Sequence, residues 1–177
     1  TVSGGATISN GILAGNNGIT ISDSTVSGAL NAGNNPINLT NVTMTSGSIN
    51  PGSNNVTISG GNITASITDA NNVYIQQGAT VTGDVQARYT VTLSASTLTG
   101  DIYGSAGYTL QNVYLNQSST IYGDVTVGTS WQTIEGDNSA NHIYGVCTYA
   151  KVNPASLCQR APSSPVHHYQ LAYASQA

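Results

Sequence analysis

Three aspartates recur at the same place in a repeated Gly-Asp motif, and their spacing is the clearest chemical signal in the sequence. Asp84, Asp101 and Asp124 each follow a glycine and precede Val or Ile. Stacked carboxylates repel one another unless they are solvated, paired or bound to a cation, so a calcium ladder is one interpretation. The Gly-rich pattern of calcium-binding Asp repeats is absent, and Asp is an ordinary turn residue. We expect solvated turns and no cofactor, with calcium at these aspartates as the alternative.

The other ionisable residues do not form a recognisable catalytic set. Arg88 is the only cation before Lys151, and Glu135 and Asp137 have no evident nucleophile or base beside them in sequence. Carbohydrate-cleaving enzymes need converging carboxylates, or carboxylates combined with Arg or Lys. The histidines lack the spacing to cysteine that a metal site requires. The sequence therefore predicts that the protein is not an enzyme.

Aromatic residues become more frequent toward the C-terminal half. Such rings combine an apolar face with a polar tip, which suits carbohydrate or protein contact. The alternative interpretation is that they cover the wider last repeats. The candidates for a contact surface are Tyr103, Tyr114, Tyr122, Trp131 and Tyr144.

All these residues lie on a repeat of about 18 residues. Paired asparagines introduce a short alternating strand, as in Asn54-Asn55-Val56-Thr57-Ile58, and a second strand follows, as in Thr80-Val81-Thr82-Gly83-Asp84-Val85. Alternation of β-branched residues predicts strands, and the period predicts coils that cover one another's apolar edges. We therefore predict an all-β parallel β-solenoid (β-helix) of about eight coils of ~17–23 residues. An antiparallel β-sandwich is the alternative fold.

Two further expectations follow from the repeat. The first asparagines of the pairs should stack at one corner in the αL conformation, with their amides hydrogen-bonding along the stack; these are Asn16, Asn34, Asn54 and Asn71. A solenoid can also present a flat threonine array to ice. The outward residues of the first strand do not form a regular threonine lattice, so ice binding is not predicted from them; they are Thr20, Asn38, Thr57, Tyr74, Thr92 and Tyr114.

Composition excludes several classes of partner. The 177 residues include 3 Lys+Arg and 7 Asp+Glu, with a net charge of −4. Few cations leave no electrostatic basis for binding nucleic acid or anionic lipid. No apolar run reaches about 18 residues, so no membrane span is predicted.

The two cysteines predict a disulfide near the end of the repeats. An even cysteine count in a charge-poor chain favours an oxidised Cys147–Cys158 pair and an exported protein. Closing such a loop stabilises a chain by about 3 kcal/mol in the chain-entropy model. We expect a β-solenoid at 1–148, a capping segment with this disulfide at 149–160, and an extended tail at 161–177. By composition that tail comprises a Pro-Ser linker followed by a strand.

A family resemblance adds to this interpretation. Gly-Asp-Val coils, a cysteine pair and then Pro165-Val166-His167-His168-Tyr169-Gln170-Leu171 resemble the N-terminal region of MshQ-type proteins. These are encoded with the mannose-sensitive haemagglutinin (MSHA) type IV pilus of marine gammaproteobacteria. The resemblance implies that the strand in the tail is the first strand of a following module. It also implies a Gram-negative cell surface and a place in pilus biogenesis or attachment, and it transfers no functional residue. The coils also resemble bactofilins, which polymerise end to end, although the cysteine pair and proline linker fit that family less well.

Three functions remain open from the sequence. The leading hypothesis is an extracellular structural or adhesive module on an MSHA-like pilus or another surface fibre, with fibre proteins or surface glycans as partners. The second is a filament subunit whose coil edges pair with neighbouring copies of the chain. The third is a carbohydrate-active β-helix enzyme.

Overall fold

The computed structural model describes residues 1–160, and the expected linker and strand at 161–177 lie outside the described residues. Within 1–160 the chain forms twenty-two short β-strands, β1 to β22 in chain order, and one 3₁₀ turn at Ala155–Leu157. Every strand pairing is parallel and joins one coil to the next. The chain is thus a parallel β-solenoid of about nine turns, and the sandwich alternative is wrong.

Each coil contributes strands to three stacks, which we call face 1, face 2 and face 3. Three long strands turn a corner and serve two faces: β11 (Ser66–Gln76) and β13 (Val85–Ser94) run from face 3 into face 1, and β20 (His142–Thr148) runs from face 2 into face 3. The other strands of face 1 are β3 (Ile19–Ser22), β6 (Ile37–Thr40), β9 (Asn54–Ser59), β16 (Asn112–Asn116), β19 (Thr133–Gly136) and β21 (Lys151–Asn153). Those of face 2 are β1 (Thr7–Ile8), β4 (Thr25–Ser27), β7 (Thr43–Ser46), β10 (Asn62–Thr64), β12 (Thr80–Thr82), β14 (Thr97–Thr99), β17 (Thr120–Tyr122) and β22 (Cys158–Arg160). Those of face 3 are β2 (Ile12–Leu13), β5 (Leu30–Asn31), β8 (Ser48–Asn50), β15 (Ile102–Gly104) and β18 (Val125–Thr126).

The nine coils follow from these pairings. Coils 2 to 8 occupy residues 19–31, 37–50, 54–67, 72–87, 90–104, 112–126 and 133–148. Coil 1 begins at Val2, which bridges Ile21, and coil 9 occupies 151–160. The sequence predicted about eight coils because the capping segment was not counted as a turn, yet Lys151–Asn153 and Cys158–Arg160 both pair with coil 8.

Aliphatic side chains form the core as ladders along the stack. One ladder on face 1 steps by 17 to 22 residues through register partners Ile19, Ile37, Val56, Val73, Val91, Val113, Ile134 and Val152. Face 2 contributes Val26, Met44, Ile63, Val81, Leu98, Ile121 and Ile143, all fully buried. Because a strand alternates its side chains, burying these residues directs their immediate neighbours on each face outward.

The asparagine corner forms in part as expected. Asn72 donates from its backbone N–H and its Nδ2 to Asn55 Oδ1, each at 3.1 Å. Asn71 Nδ2 donates to the Ser53 carbonyl at 2.7 Å. The αL expectation for Asn16, Asn34, Asn54 and Asn71 is wrong, since none of them has a positive φ.

At the asparagine corner the positive φ values belong to the preceding residues Ser53 and Asp69, and a more regular series of αL residues lies at the corner between face 1 and face 2. They occupy one position of successive coils, immediately after the face 1 strand, and are Asp23, Asn41, Gly60, Gln77, Ala95 and Gln117. The side chains at this position vary widely, so composition gave no signal for it. The strand must turn sharply there to place face 2 beside face 1.

Candidate functional site

The Gly-Asp motif lies at the corner between face 2 and face 3, where it forms a hydrogen-bond ladder. Asp84 Oδ1 accepts the Asp101 N–H at 2.9 Å, and Asp101 Oδ1 accepts the Asp124 N–H at 2.8 Å. Asp124 Oδ1 in turn accepts the Val146 N–H at 2.8 Å. Each carboxylate therefore binds a backbone amide of the following coil, a charge-assisted bond stronger than one between neutral groups.

The glycines allow the coils to approach closely at this corner. A Cβ added at Gly123 would collide with the carbonyl oxygen of Gly100, and one at Gly145 would collide with that of Gly123. Gly83 and Gly100 also adopt positive φ values of 147° and 153°. The backbone contact explains the glycine, and the amide left at the corner explains the aspartate that follows it.

The alternative interpretation of these aspartates, a calcium site, would have to form on this same ladder. The three aspartates lie in a line, one per coil, with their carboxylates directed at amides. Within residues 1–160, no group of three or more His, Cys, Asp or Glu side chains could together hold a metal ion. The ladder positions the coils, and its geometry is that of a structural element.

The predicted aromatic contact residues are distributed over several parts of the solenoid. Tyr103 lies on face 3, where its hydroxyl accepts a hydrogen bond from Gln86 Nε2 at 3.0 Å. Tyr114 lies half-buried on face 1 between Thr92 and Glu135. Trp131 is 60% exposed in the segment between coils 7 and 8.

Only Tyr122 and Tyr144 come together, on face 2. Their rings stack at 5.1 Å between centroids with 6° between the ring planes, and His142 lies 5.8 Å from Tyr144. The two rings cover each other and remain about half exposed. A platform for sugar rings requires an aromatic face that is open to solvent. Because these two rings cover each other, they continue the stacking of face 2 side chains from one coil to the next and do not form a broad platform.

A partly open cavity of about 130 Å³ lies near Tyr114. Glu135 and Asp137 line it together with Asn116 and Asn153. The Asp137 carboxylate accepts hydrogen bonds from Asn141 Nδ2 at 2.7 Å, Asn138 Nδ2 at 2.8 Å and the Gln117 N–H at 3.2 Å. These hydrogen bonds connect Asp137 to the turns that follow the face 1 strands of coils 7 and 8.

A cluster around Arg88 was missed in the sequence because its members come from successive turns of the solenoid and are about 17 to 20 residues apart in sequence. Arg88 forms an ion pair with Asp69, and its guanidinium lies 4.3 Å from the centre of the Tyr108 ring. Ser105 Oγ also donates to Asp69 Oδ1 at 3.4 Å. The cluster ties the long connection of coil 6, which contains Ser105 and Tyr108, to the rest of the stack.

The disulfide between Cys147 and Cys158 is present, with 6.2 Å between the two Cα atoms. Cys147 is fully buried and pairs with Val125 in the aliphatic ladder of face 3. Cys158 pairs with Ile143 on face 2. The bond therefore crosses the end of the core between two faces, next to the buried side chain of Leu157.

Sequence reasoning considered the outward residues of face 1 for a threonine array and did not consider those of face 2. Face 1 carries the irregular outward series described above, whereas face 2 carries threonines in the repeated Thr-x-Thr pattern that precedes the Gly-Asp corner. The signal was visible in Thr80-Val81-Thr82 and Thr97-Leu98-Thr99. The sequence alone does not show that these triplets stack in register, so it does not reveal that their threonines form columns on one face.

Comparisons with known proteins identified no relative: no family model, no curated protein and no solved structure matched the chain. In the part of the chain that the structure describes, no helix has the length and apolar character needed to cross a bilayer.

Proposed function

We propose that the chain is an extracellular structural or adhesive module that forms a rigid, charge-poor spacer on a surface fibre such as an MSHA-like pilus. The observation that carries the proposal is the Cys147–Cys158 disulfide, which closes the last coil. Disulfides form and persist in exported proteins and are rare in reducing compartments. The resemblance to MshQ-type proteins supplies the choice of fibre.

The shape of the molecule supports a spacer or display role. Strands stack at ~4.8 Å, so nine coils form a rod about 40 Å long. Its sides carry mostly Ser, Thr and Asn, which solvate well and attract few charged partners. The exposed Trp131 lies between the last full coils, and this C-terminal part is where we expect fibre proteins or surface glycans to make contact.

The proposal does not include catalysis. Asp84, Asp101 and Asp124 bind backbone amides, and Asp137 binds the loops around it. Acid–base chemistry on a glycan needs a second free group near Glu135. The described residues around Glu135 are Asp137, whose carboxylate accepts hydrogen bonds from Asn141 and Gln117, together with asparagines and a tyrosine.

The test is the redox state of the cysteines in protein recovered from the outside of intact cells. Protein recovered from the outside of intact cells is unfolded in denaturant, because Cys147 is fully buried when folded, and maleimide labelling of Cys147 and Cys158 is compared with and without prior reduction. We expect no labelled thiol without reduction and two with it, while a Cys158→Ser control should show one labelled thiol under either condition once unfolded. Two free thiols in wild-type protein, or its recovery from the cytoplasm alone, would contradict the proposal.

The filament alternative makes a different prediction for the same protein. Pairing between terminal coils would give a mass that rises with concentration, because backbone edges associate as additional strands. Light scattering at increasing concentration distinguishes the two. A constant monomer mass supports the spacer, and growing rods support the filament.

A further inference from the structure

The outward side of face 2 carries two columns of small polar side chains, nearly all of them threonine or serine, with Asn62 as the amide in the first column. In the first column, each residue is the register partner of the next, from Thr7 through Thr25, Thr43, Asn62, Thr80, Thr97 and Thr120. In the second column, Thr64, Thr82 and Thr99 are partners in the same way. Ser27 and Ser46 continue this column toward the N-terminus after a bulge.

The buried core residues of face 2 hold the backbone, and therefore the outward side chains of the two columns, in fixed positions. From coil 2 to coil 7, the residue between the two columns points into the core and its side chain is almost completely buried, as in Ile63, Val81 and Leu98; the equivalent Ile8 of coil 1 is partly buried. Threonine is β-branched and has few side-chain rotamers, so little freedom remains to be lost on binding. Register is kept without a shift from coil 4 to coil 7. The columns therefore form a lattice of about 4.8 Å between coils and about 6.6 Å along the strand.

The chemistry of this lattice is uniform. The strands of face 2 from Thr7–Ile8 to Thr120–Tyr122 contain no Asp, Glu, Lys or Arg. Each threonine presents one methyl group and one hydroxyl group. A charged side chain would impose its own strongly ordered hydration shell. On this uncharged surface, the arrangement of bound water is set by the regular spacing of the hydroxyl and methyl groups.

We propose that face 2, from coil 1 to coil 6, binds the surface of ice. Ordered water has a two-dimensional repeat of the same scale as the threonine lattice, and a rigid array of hydroxyl and methyl groups can match it at many points at once. Each single contact is weak, and the pre-ordered array makes the contacts additive without further loss of conformational freedom. The proposal does not depend on attachment to a pilus.

An insoluble polysaccharide is the competing occupant, and the structure favours it less. Sugar rings bind to aromatic faces that lie open. On face 2 the aromatic residues are Tyr122 and Tyr144, whose rings face each other at 5.1 Å. They also lie at the C-terminal end of the threonine columns, where they interrupt the lattice and do not run along it.

The proposal is tested by measuring thermal hysteresis and ice partitioning of the purified 177-residue chain. We expect a measurable gap between melting and freezing points, and enrichment of protein in slowly grown ice. The variant Thr82→Lys places a hydrated charge on an exposed position in the middle of the array, and we expect it to lose most of the hysteresis. The matched control Thr20→Lys makes the same change at an exposed strand position on face 1, and we expect it to retain the wild-type value.

Thermal melting of both variants establishes that they are folded, since both sites are solvent-exposed. Absence of hysteresis in the wild type would overturn the proposal, as would equal losses in Thr82→Lys and Thr20→Lys. Retention of wild-type protein on insoluble chitin or cellulose, without hysteresis, would assign face 2 to a polysaccharide instead.

Discussion

At the residue scale, the Gly-Asp pair allows coils 5 to 7 to pass the corner between faces 2 and 3 close to the neighbouring coil. The chain passes so close to the previous coil that only glycine fits, as Gly123 does against the carbonyl of Gly100. The turn leaves the next backbone N–H without a carbonyl partner in the ladder. The aspartate of the preceding coil accepts it, as Asp101 does for Asp124, and the motif recurs because the corner recurs.

This role predicts the effect of removing one carboxylate. Asp101→Ala leaves the Asp124 N–H without the acceptor that Asp101 Oδ1 provides, and an unsatisfied, partly buried donor costs about 1–3 kcal/mol. Asp101→Asn keeps an oxygen at that position and should lose only about 1 kcal/mol. Urea unfolding followed by circular dichroism measures both values.

The same measurement distinguishes the ladder from a calcium site. We expect EDTA to leave the unfolding midpoint of the wild type unchanged, because the carboxylates bind amides. A loss of stability in EDTA as large as that caused by Asp101→Ala would show that a cation holds the aspartates together.

At the scale of the element, the sequence predicted what is periodic and missed what is not. The Val, Ile and Leu ladders repeat every 17 to 22 residues, and burial of alternate side chains imposes that pattern directly on the sequence. The αL corner after face 1 tolerates Asp, Asn, Gln, Ala and Gly, so it has no fixed residue type to detect. The Arg88–Asp69 ion pair joins coils 19 residues apart in sequence, and a single charge of each sign gives no pattern.

The ninth coil was missed for a related reason. Its strands Lys151–Asn153 and Cys158–Arg160 lack the alternating aliphatic signature and have little buried surface of their own. Pairing with coil 8 and the disulfide to the core residue Cys147 hold it in place. The element that closes the solenoid is therefore recognisable from its covalent bond and not from its pattern.

The disulfide should consequently stabilise coil 9 more than the rest of the solenoid. In the variant Cys147→Ala/Cys158→Ala, we expect amides at 151–160 to exchange hydrogen much faster, with a loss of up to about 3 kcal/mol, while amides of coils 2 to 6 keep their protection. Hydrogen exchange followed by mass spectrometry resolves these regions. The substitution Cys147→Ala also leaves a small cavity. Wild-type protein under reducing conditions lacks the disulfide but keeps both cysteine side chains, so it is the matched control for that cavity. Uniformly faster exchange in all coils would contradict a local role.

At the scale of the whole molecule, the solenoid is a one-dimensional stack. Each coil pairs with the coil before it and the coil after it, so stability is approximately a sum of coil terms and nearest-neighbour terms. Trp131, the single tryptophan of the chain, lies between coils 7 and 8 and reports on the C-terminal part. Far-ultraviolet circular dichroism reports on all the strands together.

Weakening a central coil should therefore separate the two signals. Ile75 is fully buried in coil 5, between Ile58 and Leu93, and Ile75→Ala should cost about 2–5 kcal/mol through lost burial and a residual cavity. Because this loss of stability occurs between the N-terminal and C-terminal halves of the stack, the two halves should unfold separately. We therefore expect the midpoint in urea from Trp131 fluorescence, which reports on the C-terminal half, to differ from the midpoint from circular dichroism, which reports on all strands. The same substitution at the half-buried Ile12 of coil 1 lies at one end of the stack, and its two midpoints should coincide as in the wild type. Coincident midpoints in Ile75→Ala would show that the nine coils unfold as one unit and that neighbour pairing alone does not describe the molecule.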